Sequence, residues 1–357
     1  MIKKSRGRIS IFGEHSDWLI EYKDKCDIIP DQIIGLAGSI DLGLEYDASP
    51  LKEPYFKFFE VCGNGMICIG TSYQSIDPWG YGDTSRLLYW AIHTAVKYIE
   101  NSKNGITLKE IVGCDMKITK KTLPFNKGLA SSTCLISAVI EAILIVNNMP
   151  TLDLPSLVYE AESRAMPAIG GLDMIVTESP GIRIVEYKYG ATNQLRYGVN
   201  TLDSENNFMK NHLAIVDIGF KAELTRNILK ELQEPFHKDL LYDVKATLAN
   251  LFGETTTNFS RLGEIAIKND DPETLGILMW EFQKMYNCEL GHFTRDFSPY
   301  VLDPFAKKYL SSALKYGAIY GGKCMGSHGD TAILVAIKDL EKLKDFTNKA
   351  RYNLYTL

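Results

Sequence analysis

The sequence predicts an α+β protein of two domains. Three observations carry that reading. The chain has 357 residues, its hydrophobic periodicity switches between strand-like and helix-like in both halves, and the switches lack the regular alternation of a doubly wound sheet. Such a length exceeds one ordinary core and falls short of three. With 45% hydrophobic and 23% charged residues, the chain has the composition to bury a large core.

Residues 7–12 alternate toward a short strand that stops at Gly13, and 33–46 and 55–71 read as strands broken by glycines. From Asp83 the period changes: Leu87, Leu88, Ala91, Ile92, Ala95, Val96 and Ile99 fall at helical spacing, with Asp83 or Thr84 as N-cap. A strand over 111–120 and a turn over 124–128 lead into a strongly apolar helix over 130–147. Another helix covers 155–165 and is ended by Pro167. Residues 186–212 are polar and read as irregular, so the domain boundary is placed there, giving units 1–190 and 191–357. Beyond it come a strand over 213–219 and helices near 224–234, 238–252, 257–269, 272–290 and 303–316. Residues 318–325 and 331–337 read as a hairpin around Gly326-Ser-His-Gly-Asp330, followed by a last helix near 339–353.

Several function classes drop out. A net charge of -5, with both signs mixed along the chain, leaves no electrostatic footprint for nucleic acid. The seven cysteines include no CxxC pair and no His at metal-ligand spacing, so reduced thiols in a cytoplasmic protein are expected. No signal peptide is expected from the basic start Met-Ile-Lys-Lys-Ser-Arg, which has no apolar run behind it. The apolar stretch over 130–146 is interrupted by Ser, Thr, Cys and Glu141 and is too short for a bilayer, so no membrane partner is expected. Oligomeric state is not legible.

Three constellations carry chemistry. In Leu123-Pro-Phe-Asn-Lys127-Gly128-Leu129-Ala130-Ser131-Ser132-Thr133 a glycine turn opens a long helix. Its first-turn amides make an anion site and its hydroxyls suit phosphate or Mg²⁺, although an ordinary Ser/Thr N-cap has the same pattern. At Arg8-Ile-Ser-Ile-Phe-Gly-Glu14-His15-Ser16-Asp17, carboxylates, imidazole and guanidinium crowd one strand end. A pocket for several hydroxyls needs that mixture, and a solvated strand end also shows it. Glu162 on a helix precedes Asp173 in a Pro/Gly loop. One can hold Mg²⁺ and the other accept a proton, or the two can be a surface glutamate and a loop-capping aspartate. Gly317-Ala-Ile-Tyr-Gly-Gly-Lys323-Cys324 nearly matches a P-loop but lacks its Ser/Thr and follows a helix, so a P-loop is rejected. The Gly326–Gly329 turn after it can offer amides to phosphate or be a plain turn. Trp79, Tyr89, Trp90 and Phe125 read as core aromatics and His292 as a loop residue.

Taken in order, the Arg-x-x-x-x-Gly-Glu-His strand end, the Pro-x-x-x-Gly-Leu-x-Ser-Ser loop, the Glu/Asp pair and the C-terminal glycine hairpin resemble the GHMP kinases. The resemblance runs from Arg8 to Ile337. It implies a ribosomal-S5-like N-terminal domain, a ferredoxin-like C-terminal domain, and ATP and substrate in the cleft between them. It further implies a phosphate loop for ATP at Lys127, Gly128, Leu129, Ala130, Ser131, Ser132 and Thr133, joined by Gly326 and Gly329 of the third motif. Ser132 and Glu162 fall at the Mg²⁺ positions, Asp173 at that of the catalytic base, and Arg8 beside it. Arg8 and Glu14-His15-Ser16-Asp17 resemble the galactokinase branch, which makes Glu14, His15 and Asp17 the sugar contacts. Trp18-Leu-Ile-Glu21 departs from that branch's Tyr-Asn-x-Gly, so a sugar kinase is implied but galactose is not. The acceptor is thus expected to be a hydroxyl of a small sugar, the anomeric one included. Two alternatives stand. A mevalonate- or homoserine-type kinase is opposed by Arg8 and Asp17. A catalytically silent sugar and ATP sensor is favoured by Ser327, His328 and Asp330 where the family shows glycines, and opposed by Ser132, Glu162 and Asp173.

Overall fold

The computed structural model describes residues 2–62, 65–72, 82–102, 107–124, 127–166, 171–177, 180–189, 195–221, 225–237, 242–291, 304–326 and 330–357. The first half contains β1 (Ile2–Phe12), α1 (Ser16–Leu19), β2 (Gln32–Leu51), β3 (Tyr55–Cys62), β4 (Gly65–Ser72), α2 (Gly82–Ser102), β5 (Gly113–Lys121), α3 (Ser131–Val146), α4 (Leu154–Ala165), α5 (Leu172–Thr177), β6 (Gly181–Tyr189) and β7 (Leu195–Asp203). The second contains α6 (Asn207–His212), β8 (Leu213–Lys221), α7 (Thr225–His237), α8 (Tyr242–Ala249), α9 (Thr256–Lys268), α10 (Pro272–Gly291), α11 (Pro304–Lys315), β9 (Ile319–Cys324), β10 (Asp330–Ile337), α12 (Leu340–Ala350) and β11 (Asn353–Thr356). The α+β class is as expected.

The first sheet has the order β4-β3-β5-β2-β6-β7, with β1 on β2. Its long central strand changes partners along its length: β6 pairs with residues 32–39, β1 with 36–47, and β5 with 44–51. Apolar residues surround α3 on all sides, and Ile136, Val139, Ile140, Ile143 and Leu144 are fully buried, as a helix without a polar face requires. Helix α4 ends at Ala165, and Pro167, expected to end it, lies outside the described residues. The stretch 186–212, expected to be irregular, instead holds the end of β6, all of β7 and α6, so the first sheet continues to Asp203. Polar side chains on an edge strand with one neighbour hide the period-2 signal that a half-buried strand would show.

The second sheet is antiparallel, in the order β11-β8-β10-β9. Alternation decides what each face meets. Leu213, Ile215, Leu334 and Ala336 join the core shared with the first sheet, while Ala214, Val216, Ile333 and Val335 pack beneath α11 and α12. Both faces are therefore covered. No helix among the described residues is long and apolar enough to cross a membrane.

Candidate active site

The loop into α3 bends at Gly128 (φ 67°) and at Ala130 (φ 57°), both left-handed. Ala130 is the N-cap of α3 and supplies no side-chain cap, which rules out an ordinary Ser/Thr N-cap. No N-cap side chain covers the first turn, which lies at the positive end of a sixteen-residue helix, where an anion is favoured. Facing this loop is the end of β9: a Cβ built on Gly128 would lie 2.9 Å from the Cα of Gly326. The glycine turns from the two sheets are in backbone contact. Lys127 leans toward β8, its Nζ 2.8 Å from Asp217 Oδ1.

Behind the loop, Glu162 projects from α4 and is buried, not a surface glutamate. Ser132 donates to its Oε1 at 2.7 Å, and Thr133 Oγ1 lies 3.0 Å from Oε1 and 2.8 Å from Oε2. Burial, with Asp173 adding to it, pushes the Glu162 carboxyl up to about 7, against the two hydroxyl donors. Asp173, in the first turn of α5, is paired with Arg8 of β1. Arg8 Nε donates to Asp173 Oδ1 at 2.5 Å and Nη1 to the Gly128 carbonyl at 3.3 Å. One guanidinium therefore ties the loop into α3 to Asp173.

The strand end at 8–17 is not solvated: Arg8, Glu14, His15 and Asp17 are all buried. A register shift between Ser10 and Phe12 re-aims the chain just before this turn, as bulges beside sites do. Trp18 Nε1–H can only donate, and it donates to His15 Nδ1 at 3.2 Å. The proton of the His15 ring is therefore on Nε2. Burial, Lys323 and Arg8 together depress the ring to about 3, so it is neutral. Asp17 turns Oδ1 to the Trp18 amide (3.0 Å) and Oδ2 to the Leu172 amide (3.1 Å). It thus anchors the start of the helix that carries Asp173.

Sequence reasoning missed Lys323. It projects from β9, which is the strand that excludes a P-loop, and is completely buried in an ion pair with Glu14. A lysine inside an apolar strand-like run was the available signal, because such a cation requires a buried counter-charge. Tyr187 of β6 was missed too, and its phenol is fully buried. Gly329, Ser327, His328, His292, Trp79 and Phe125 lie outside the described residues. Tyr89 and Trp90 lie on α2, ring centroids 4.9 Å apart, with the Arg164 guanidinium over the Trp90 ring.

Residues 89–179 match the GHMP kinases N terminal domain. No curated protein sequence matches the chain. Among solved structures, the chain is similar to the Methanococcus jannaschii mevalonate kinase at TM-score 0.69 and 18% identity, over 99% of this chain and 96% of that one. It is similar to Lactococcus lactis galactokinase complexed with galactose at TM-score 0.67 and 15% identity, over 99% and 92%. A D-glycero-D-manno-heptose 1-phosphate kinase from Bacteriodes thetaiotaomicron gives TM-score 0.64 at 12% identity, over 100% and 95%. At these identities the structural likeness speaks for the fold.

Proposed function

We propose that the chain, whose residues 89–179 match the GHMP kinases N terminal domain, is an ATP-dependent small-molecule kinase of that family and phosphorylates a hydroxyl of an uncharged sugar or sugar derivative. One observation supports the sugar over other acceptors. Among the described residues, the cations that reach the acceptor end are Arg8 and Lys323, and both are already paired, with Asp173 and Glu14. Among the described residues, that end offers oxygen acceptors and a phenol, which suit hydroxyls. Mevalonate or homoserine would bring a carboxylate that needs a cation of its own.

In this reading the α3 amides and the Gly128–Gly326 contact cradle the ATP phosphates, with Lys127 beside them. Ser132 and Glu162 fit Mg²⁺: they are hard oxygen donors only 2.7 Å apart, and Mg²⁺ is commonly held by one carboxylate plus substrate phosphates. When bound, the ion supplies neutralisation of phosphate charge. Both contacts of Arg8 with Asp173 fall on Oδ1, which leaves Oδ2 to accept the proton of the attacking hydroxyl. Arg8 fixes the carboxylate and Asp17 fixes the helix that bears it, so the protein's contribution is positioning.

A coupled ADP-release assay with Mg·ATP against free sugars, sugar phosphates, mevalonate and homoserine tests this. Strong turnover on a sugar is expected. Turnover confined to mevalonate or homoserine overturns the acceptor assignment. Silence across the panel, with ATP and a sugar still raising Tm, overturns the kinase in favour of a sensor.

A further inference from the structure

Tyr187 pairs with Ile33 of β2 and Tyr197 of β7. It shares a sheet face with Arg183 four residues earlier, whose guanidinium bonds the Ile175 and Val176 carbonyls of α5. The phenol is therefore under the helix that carries Asp173. Its ring is fully buried, packed over Gly35 with 3.7 Å to the position of a Cβ there. Its hydroxyl has no hydrogen-bond partner among the described residues. The charged groups acting on it are Asp17, Asp173 and Arg8, and burial with the two carboxylates holds the phenol well above its ordinary range, so it keeps its proton. Glu14 Oε2 is likewise buried and without a partner.

Buried hydroxyls in folded proteins are nearly always satisfied, and an orphan beside reactive groups calls for an explanation. A sugar hydroxyl both donates and accepts. The phenol offers the donor and Glu14 Oε2 an acceptor, and neither is used within the described protein. Nothing in phosphoryl transfer itself requires the phenol, since Asp173 and Arg8 already occupy that role.

We propose that Tyr187 is a further acceptor-binding residue, whose O–H donates to a sugar hydroxyl oxygen other than the one phosphorylated. This rests on the sugar-kinase reading above. It makes the substrate a polyol whose additional hydroxyl is read inside the core, and it predicts that the monodeoxy analogue at that position is a poor acceptor.

The test compares the unsubstituted chain with Tyr187→Phe in the ADP-release assay, on the sugar identified by the panel and on its monodeoxy derivatives. A rise in KM of about 10-fold is expected for Tyr187→Phe, the scale of one hydrogen bond, with the loss in KM rather than kcat. One monodeoxy derivative should show the same loss against the unsubstituted chain and no further loss against the variant. The Tm without ligand should be unchanged or higher, because the deleted hydroxyl has no partner among the described residues. Equal KM values for the two chains, or a Tm lower by several degrees, overturn the proposal. Failure of the kinase reading looks different: the unsubstituted chain itself releases no ADP. The readout is then the Tm rise given by a sugar, which Tyr187→Phe should reduce at the same sugar concentration, as an affinity weaker by about 10-fold requires. A sugar that protects both chains equally, or no sugar that protects either, overturns it.

Discussion

A β-carbon on Gly326 would stand 2.5 Å from the Cα of Gly128, so the two glycine turns touch through backbone alone. Both are left-handed, with φ of 62° and 67°. Gly326→Ala meets two obstacles, a backbone strained by about 1–2 kcal/mol and an overlap that a further 1–3 kcal/mol of rearrangement must relieve. Gly317 gives the control, since it has φ 71° but nothing within 4 Å of its virtual Cβ. Urea unfolding should show Gly326→Ala losing more stability than Gly317→Ala, with KM for ATP raised only in the former. Equal losses would mean that the close approach costs nothing.

The ion pair of Lys323 and Glu14 joins the second sheet to the end of β1, with side-chain exposures of 0% and 3%. Lys323→Met would strand a buried carboxylate, which typically costs about 3–5 kcal/mol. Glu14→Gln made in the same chain should recover much of that loss, because the orphaned charge is then gone. A double-mutant cycle by urea unfolding measures the coupling. Additive losses would show that the two side chains do not depend on each other.

These two contacts bracket what was legible in the sequence: the glycine turns were, and the partner of Lys323 was not. The polar string from Arg8 to Asp17 and the loop at Lys127–Thr133 stand out because polar residues interrupt apolar runs, and the periodicity placed α2, α3, α4 and the β9–β10 hairpin close to their observed positions. The strand β7 was not legible, since an edge strand need not alternate. Nor were the partners of Lys323 and Tyr187: a sequence shows that a group requires a partner but not which distant residue supplies it. Glu14 lies 309 positions from Lys323. Roles inside the polar string were hidden for the same reason, as with Asp17, whose second oxygen is bound by the amide of Leu172, 155 positions away.

Asp173 and Arg8 should separate chemistry from folding. Asp173→Asn is expected to lower kcat by ~10²–10⁴, the usual worth of a general base, while circular dichroism shows the fold retained. Arg8→Lys should lower kcat by a smaller factor, because one ammonium cannot replace a guanidinium that reaches both Asp173 and the Gly128 carbonyl. Full activity in Asp173→Asn would remove it from the mechanism.

Asp17 gives the chain a pH dependence whose sign can be stated. Burial, with Asp173 assisting, pushes its carboxyl from 3.8 up to about 7, outweighing the two amides that favour the charged form. Between pH 4 and 7 the folded chain therefore holds a proton at Asp17 that the unfolded chain has released. The stabilisation is fully present below about pH 4 and is lost as pH rises through 7, at up to about 1.4 kcal/mol per pH unit. Asp17→Asn cannot titrate, so the variant should lack this slope. Unfolding free energies of both chains at a series of pH values between 4 and 8 provide the measurement, and only the difference between the chains is informative, because exposed carboxylates with depressed values, such as Asp271 and Asp339, act in the opposite direction in both. As pH rises the parent's lead narrows, if Asn loses the amide contacts, or the parent falls behind, if Asn keeps them; in either case the parent loses ground to the variant between pH 4 and 7. Parallel curves would show that Asp17 titrates alike in the folded and unfolded chains, and that its burial is relieved by water.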